Sequence, residues 1–164
     1  MGQDINVIRV PDAGAKPPRK PPVAPLPVLL DDAALAEVVH RQLAACRRNR
    51  TQLALLILQR EPGIAPALVE AMGERLRGRV RAIDFIYQMD AGGFAVVLLG
   101  AGRVNVPTVQ RRIERALSGP YVIDGLGGLA KALHHLSVRI GMAAHPQADV
   151  TGAEMVRAAM PSAN

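Results

Sequence analysis

Apolar positions along this chain change their spacing several times, and each spacing predicts an element. After Asp31, the residues Leu35, Val38, Val39, Leu43 and Cys46 recur three or four apart, which is the period of one helix face, and Asp31 or Asp32 is placed to cap its start. Arg47, Arg48 and Arg50 close this helix, where cations suit the negative carboxyl end. LALLILQ at 53–59 is a continuous apolar run, short enough for a central strand covered on both faces. Pro62 and Gly63 break the chain, and Leu68, Met72, Leu76 and Val80 predict a second helix over 65–80.

IDFIYQM and FAVVLLG flank Asp90, Ala91, Gly92 and Gly93, two β-rich runs joined by turn-forming residues, the signal for a hairpin. Pro107 suits a first helical turn, and Val109, Ile113, Ala116 and Leu117 continue it as a third helix. YVID at 121–124 reads as a short strand, and LSVRIGMAAHP at 136–146 as a longer one with Val138, Ile140 and Met142 on one face. Between them GLGGLAKALHHL fits either a loop with a short helix or a hairpin arm, because its glycines and its later apolar spacing argue for different things. Thr151 is placed to cap a last helix running to Met160. The expected fold class is α+β, a sandwich with helices packed on one mainly antiparallel sheet.

Composition divides the chain. Positions 1–30 hold seven of the thirteen prolines, including KPPRKPPVAPLP, whose locked angles and missing amide donors oppose helix and central strand. A proline-rich, disordered tail over 1–30 and one domain over 31–164 are expected, with the tail either a solvated leader or a polyproline ligand for a partner. No apolar run approaches the roughly 18 residues of a membrane span. MGQDINVIRV lacks the features of a secretory signal and Cys46 is the single cysteine, so a soluble, cytoplasmic protein without internal disulfides is expected. The formal charge of +6 favours anionic partners or serves solubility alone. With two Phe, two Tyr and no Trp, few rings are available to stack bases, which weakens single-strand nucleic acid as a partner without removing a backbone-binding mode; nucleic acid is not the expected partner.

Three segments in order carry a resemblance: LALLILQ, RAIDFIYQMDAGGFAVVLL, and RIGMAAHP followed by a helix. Together they resemble the bacterial GGDEF, diguanylate cyclase-like family, whose middle block runs Arg-x-x-Asp, five residues, the signature turn and an apolar strand. Arg81 and Asp84, then FIYQM, then Asp90, Ala91, Gly92, Gly93 and Phe94 fill that pattern. The resemblance implies a nucleotidyl-cyclase-like, ferredoxin-like sandwich. It also implies an ancestral chemistry in which two GTP molecules are joined into cyclic di-GMP with two metal ions held by carboxylates.

Those carboxylates are missing by the same alignment. Leu58, Gln59 and Arg60 stand at the end of the first strand where the family has acids, and Gly92 and Gly93 stand where acids precede the Phe. Only residues 61–63 separate that strand from the next helix, where the family has a longer segment that reads guanine and phosphate. Glu61 and Asp90 are nearby acids, best read as solvated turn residues. The resemblance therefore implies a degenerate, noncatalytic member with no catalytic residues, no metal and no cofactor.

Arg81 and Asp84 keep the spacing of the family's inhibitory site for cyclic di-GMP, and Arg112, flanked by Arg111 and Arg115, falls where a further Arg joins it. Guanidinium forks match phosphate oxygens or guanine O6 and N7, and a carboxylate accepts from guanine N–H groups. The competing reading is a local ion pair at the entry to a strand. Gln88 replaces an Arg common just ahead of the signature. His134 and His135 are adjacent and so diverge, the GLGG at 125–128 lacks the Lys of a phosphate loop, and Cys46 belongs to a buried helix face. The expectation is a regulatory protein that binds cyclic di-GMP and modulates a protein partner or homodimer, or a nucleotide-independent interaction scaffold on the same fold.

Overall fold

The computed structural model describes residues 29–124, 131–145 and 150–162. Helix α1 (Asp32–Asn49) is capped by Asp31, whose Oδ1 accepts from the Ala34 N–H at 2.7 Å. Strand β1 (Leu53–Arg60) follows, then α2 (Pro66–Arg77), the hairpin β2 (Phe85–Gln88) and β3 (Phe94–Leu99), and α3 (Val106–Leu117). Strands β4 (Pro120–Asp124), β5 (Lys131–His135) and β6 (Val138–His145) lead to α4 (Gly152–Ala159). No helix among the described residues is long and apolar enough to cross a membrane.

β1 is the centre of the fold because it is apolar on both faces. It pairs antiparallel with β3, Leu56 opposite Val96, and with β6, Leu56 opposite Met142, in a sheet ordered β2-β3-β1-β6. Alternate side chains serve two cores. Ala54, Leu56 and Leu58 pack with Leu68, Met72 and Leu76 of α2 and Ile113 and Leu117 of α3. Leu53, Leu55 and Ile57 pack with Leu35, Val39 and Leu43 of α1 and Met155 and Val156 of α4. The sheet is therefore covered on both sides, as the uninterrupted run at 53–59 predicts.

The two chain ends of this layer are tied together. Arg47 at the end of α1 donates from Nη2 to the Val150 carbonyl at 2.6 Å, just before the capping box in which Thr151 Oγ1 accepts from Glu154 N–H and Glu154 Oε2 accepts from Thr151 N–H. On the other face Arg75 of α2 lies 3.7 Å over the Tyr121 ring and donates to the Ala116 and Pro120 carbonyls, which fixes α2 against the α3–β4 corner. Tyr121 is buried, its hydroxyl donates to Leu117, and burial pushes its phenol above the ordinary range.

One local reading is corrected and one open alternative is resolved. The second helix ends at Arg77 rather than reaching Val80, because Gly78 caps it and a turn carries the chain on. Of the two alternatives for GLGGLAKALHHL, the described part is a hairpin arm: Lys131–His135 is strand β5, paired with β4 in a separate two-stranded ribbon, and 125–130, including the GLGG, lie outside the described residues. β6 is a continuous strand as expected, and along it Val138 is buried, Ile140 half-buried and Met142 43% exposed on this outer strand of the sheet.

Candidate functional site

Arg81 and Asp84 lie in the loop between α2 and β2. A tight turn, Asp84 N–H to Arg81 carbonyl at 3.0 Å, brings them together. Asp84 Oδ2 then accepts from the Arg81 backbone N–H at 3.0 Å and from its Nε at 3.2 Å, while Oδ1 accepts from Arg81 Nη2 at 3.1 Å. Oδ1 also accepts from the Leu99 N–H at 3.1 Å, and Arg81 Nη2 donates to the Leu99 carbonyl at 2.5 Å. The pair thereby clasps the last residue of β3 and closes the open end of the hairpin. Burial is lopsided: the Asp84 side chain is 2% exposed and that of Arg81 55%. The carboxylate is spent on its own chain, and the guanidinium keeps a solvent-facing edge.

α3 supplies the third residue. Pro107 in its first turn and the amphipathic spacing of Ile113 and Leu117 lay this helix on the core with Arg112 toward the α2–β2 loop, where its Nη2 donates to the Arg79 carbonyl at 2.8 Å. Arg81, Asp84, Arg112, Asn105 and Val109 then line one pocket of about 250 Å³. Arg112 is shared with an adjoining concavity of about 550 Å³ lined by Arg79, Thr108, Arg111 and Arg115. Among the described residues Arg81–Asp84 is the only salt bridge, so Arg111, Arg112 and Arg115 carry no carboxylate partner. A concave wall of uncompensated guanidiniums next to an apolar floor suits a ligand with phosphates and a flat polar ring. Arg79 and Asn105 were not singled out from the sequence; the alternating arginines at 77, 79 and 81 were the available signal for the first.

The signature turn sits at the other end of the hairpin. Met89 N–H donates to the Gly93 carbonyl at 3.1 Å and Gly92 N–H to the Met89 carbonyl at 3.0 Å. Gly92 has φ 82° and Gly93 φ 118°, left-handed values that penalise any side chain. A β-carbon on Gly93 would also overlap the Leu58 carbonyl oxygen, and one on Gly92 would stand 2.8 Å from Arg60 Nη2. The end of β1 thus faces the turn with a guanidinium. Arg60 Nη1 donates to the Glu61 carbonyl at 3.2 Å, and Nε is buried without a hydrogen-bond partner. Gln59 is engaged by Arg139 Nη2 at 3.3 Å.

This donor set does not fit divalent metal ions. Leu58 is buried and apolar, Arg60 is cationic, and neither Gly92 nor Gly93 has a side-chain ligand to offer. Asp90 and Glu61 are both exposed. Among the described residues no three His, Cys, Asp or Glu side chains gather as a metal cluster. His134 and His135 are neighbours on the exposed ribbon strand β5, and Cys46 is buried with its Sγ directed at the Gln52 carbonyl.

No protein-family model matches the chain, and a search of curated proteins finds no match. Solved structures do match. The GGDEF domain of TpbB (YfiN) from Pseudomonas aeruginosa superposes with a TM-score of 0.65 at 23% identity, covering 80% of this chain and 80% of that one. The GGDEF domain of DgcB from Caulobacter crescentus, solved in complex with c-di-GMP, gives 0.65 at 14% identity over 82% and 85% of the two chains. The diguanylate cyclase SiaD from Pseudomonas aeruginosa, solved with its activator SiaC, gives 0.66 at 13% identity over 80% of this chain and 52% of SiaD. Likeness at these identities is likeness of fold, and it agrees with the strand order, the hairpin turn and the two helical layers described above. The chain carries a domain of the GGDEF, diguanylate cyclase-like fold.

Proposed function

We propose that this domain is a noncatalytic regulatory module that binds cyclic di-GMP at Arg81, Asp84 and Arg112 and so alters affinity for a protein partner. The observation that carries the reading is the meeting of Arg81 and Arg112, from different elements, at one pocket with Asp84 between strand and loop. Arg81 presents its free edge to phosphate or guanine oxygens, and Arg112 supplies a second fork from α3. Asp84, with its oxygens committed to Arg81 and Leu99, holds the first fork in line. The complexes of DgcB with c-di-GMP and of SiaD with SiaC support a fold able to take this ligand and a protein partner. Absence of catalysis rests on Leu58, Arg60, Gly92 and Gly93, which supply a cation and no carboxylate where transferred phosphates need metal.

A second reading, a nucleotide-independent interaction scaffold, is favoured by one observation. Every Asp84 bond stays inside the chain, which is what a structural ion pair requires. Substitution separates the two. Arg81→Ala and Arg112→Ala each remove a charged donor, so cyclic di-GMP affinity should fall roughly tenfold to a hundredfold, the equivalent of about 1.5–3 kcal/mol. Unchanged affinity in both variants removes the site; partner capture without any ligand binding supports the scaffold.

A further inference from the structure

β1 ends in a charged residue, and the charge is not neutralised within the chain. Arg60 is half-buried, and its Nη1 donates to the Glu61 carbonyl at 3.2 Å. Nε is sealed from solvent without a partner, and Nη2 meets no acceptor among the described residues. Arg81 shows what this edge of a guanidinium holds when it is satisfied: its Nε and Nη2 grip the two oxygens of Asp84 at 3.2 and 3.1 Å. Among the described residues no carboxylate comes within salt-bridge reach of Arg60, and the acids of the adjoining loops, Glu61 and Asp90, are exposed. A half-buried guanidinium edge without an acceptor costs free energy that a bound oxyanion recovers.

Arg60 lines a cavity of about 340 Å³ bounded by the end of β1, the β2–β3 turn, the start of α1 and Met160. That is the volume of on the order of ten water molecules, enough for two linked phosphoryl groups. Gly92 forms one wall, and its lack of a side chain is what leaves the guanidinium open. A β-carbon there would stand 2.8 Å from Nη2 and 3.1 Å from Nε, over the unused edge itself. Gln59 adds a second donor, since Arg139 holds its Oε1 at 3.3 Å and leaves the amide N–H groups to a ligand. Asp32 also borders the cavity, but it is exposed and shares its other side with Arg157, so its charge is screened by water and offset by a cation.

We propose that this cavity is a second, metal-independent anion site that takes a diphosphate group through the Nε–Nη2 edge of Arg60. One phosphoryl oxygen meets Nη2 from the cavity, and a small rotation of the guanidinium brings Nε to a second oxygen, the same side-on fork that Arg81 makes with Asp84. A fixed guanidinium supplies the positive charge that a metal ion supplies elsewhere, so the site needs no carboxylates. It is separate from the pocket of Arg81 and Arg112, because the turn at Gly92 and the loop at Asp84 lie at opposite ends of the hairpin.

Titration of the full chain with inorganic pyrophosphate in EDTA, at constant ionic strength, tests the proposal by calorimetry and by the Arg60 Nε–H resonance. The expected result is saturable binding, a shift of that resonance, and affinity at least tenfold weaker in Arg60→Gln. Gly92→Asp sets a carboxylate against the same edge and should weaken binding as much while keeping the cation, so it carries the test should Arg60→Gln fail to fold. GDP separates the sources: equal affinity assigns the site to the diphosphate alone, and tighter binding with the same Arg60 dependence assigns it to a nucleotide, and both support the proposal. No saturable binding, or binding that appears only with magnesium, would overturn it. So would affinity that survives Arg60→Gln, and its loss in Arg112→Ala would then move the anion to the arginines of α3.

Discussion

The guanidinium of Arg60 lies against Gly92, with Nη2 2.8 Å from where a β-carbon on that residue would stand. A cation at the end of β1 and a turn with no side chain to meet it are complementary features of one site. Gly93 completes the arrangement by letting the turn backbone approach the Leu58 carbonyl. Gly93→Ala should therefore destabilise the domain by about 1–3 kcal/mol from backbone strain alone, measured by denaturant unfolding. Stability equal to the parent would show that the turn does not need glycine there. Gly92→Asp should bring a carboxylate to Arg60 and form an ion pair rather than a metal ligand, so incubation with GTP and magnesium should still yield no cyclic dinucleotide.

Asp84 and Arg81 should respond oppositely in stability and binding. Asp84 is buried and accepts from the Leu99 amide as well as from Arg81, so Asp84→Ala should cost roughly 2–3 kcal/mol of stability. Arg81 is more than half exposed, and its loss should cost only about 0–1 kcal/mol while removing most ligand affinity. Paired unfolding and titration curves for the two variants check this. Equal stability losses would place both residues in a structural clasp and favour the scaffold reading.

Glu154 should give the domain an acid-side pH dependence. Its carboxylate accepts from the Thr151 backbone N–H and hydroxyl, which hold its pKa below the ordinary value of 4.5. A depressed folded pKa means the contribution is complete above that ordinary value and is lost as pH falls through the lower, folded one. Glu154→Gln should be less stable than the parent at neutral pH, and the gap should narrow in acid. A gap independent of pH would show that the capping box does not depend on the charged form.

Much of this architecture was legible because local pattern and tertiary role coincide. The run at 53–59 has no polar face, so it could only be a strand between two layers, and Asp31 and Thr151 cap where their positions predict. β5 was not legible: its partner β4 forms only a two-stranded ribbon, and the directly opposed Val122 and Leu133 are both exposed, which leaves no alternation to read. The parallel bridge from Leu30 to Met89 was not legible, since composition reports average backbone freedom and not which amides face a neighbour. At the site, only the resemblance to the GGDEF family brought Arg81, Asp84 and Arg112 into one reading. The capture of Leu99 by Asp84 and of the Arg79 carbonyl by Arg112 depends on contacts 15 and 33 residues apart, which no local window contains.

Calorimetric titration of the full chain with cyclic di-GMP, set beside GTP with magnesium, tests the central claim most directly. Saturable heat with cyclic di-GMP and no cyclic dinucleotide product from GTP are the predicted results. No heat and no thermal stabilisation with cyclic di-GMP, or turnover of GTP, would contradict it.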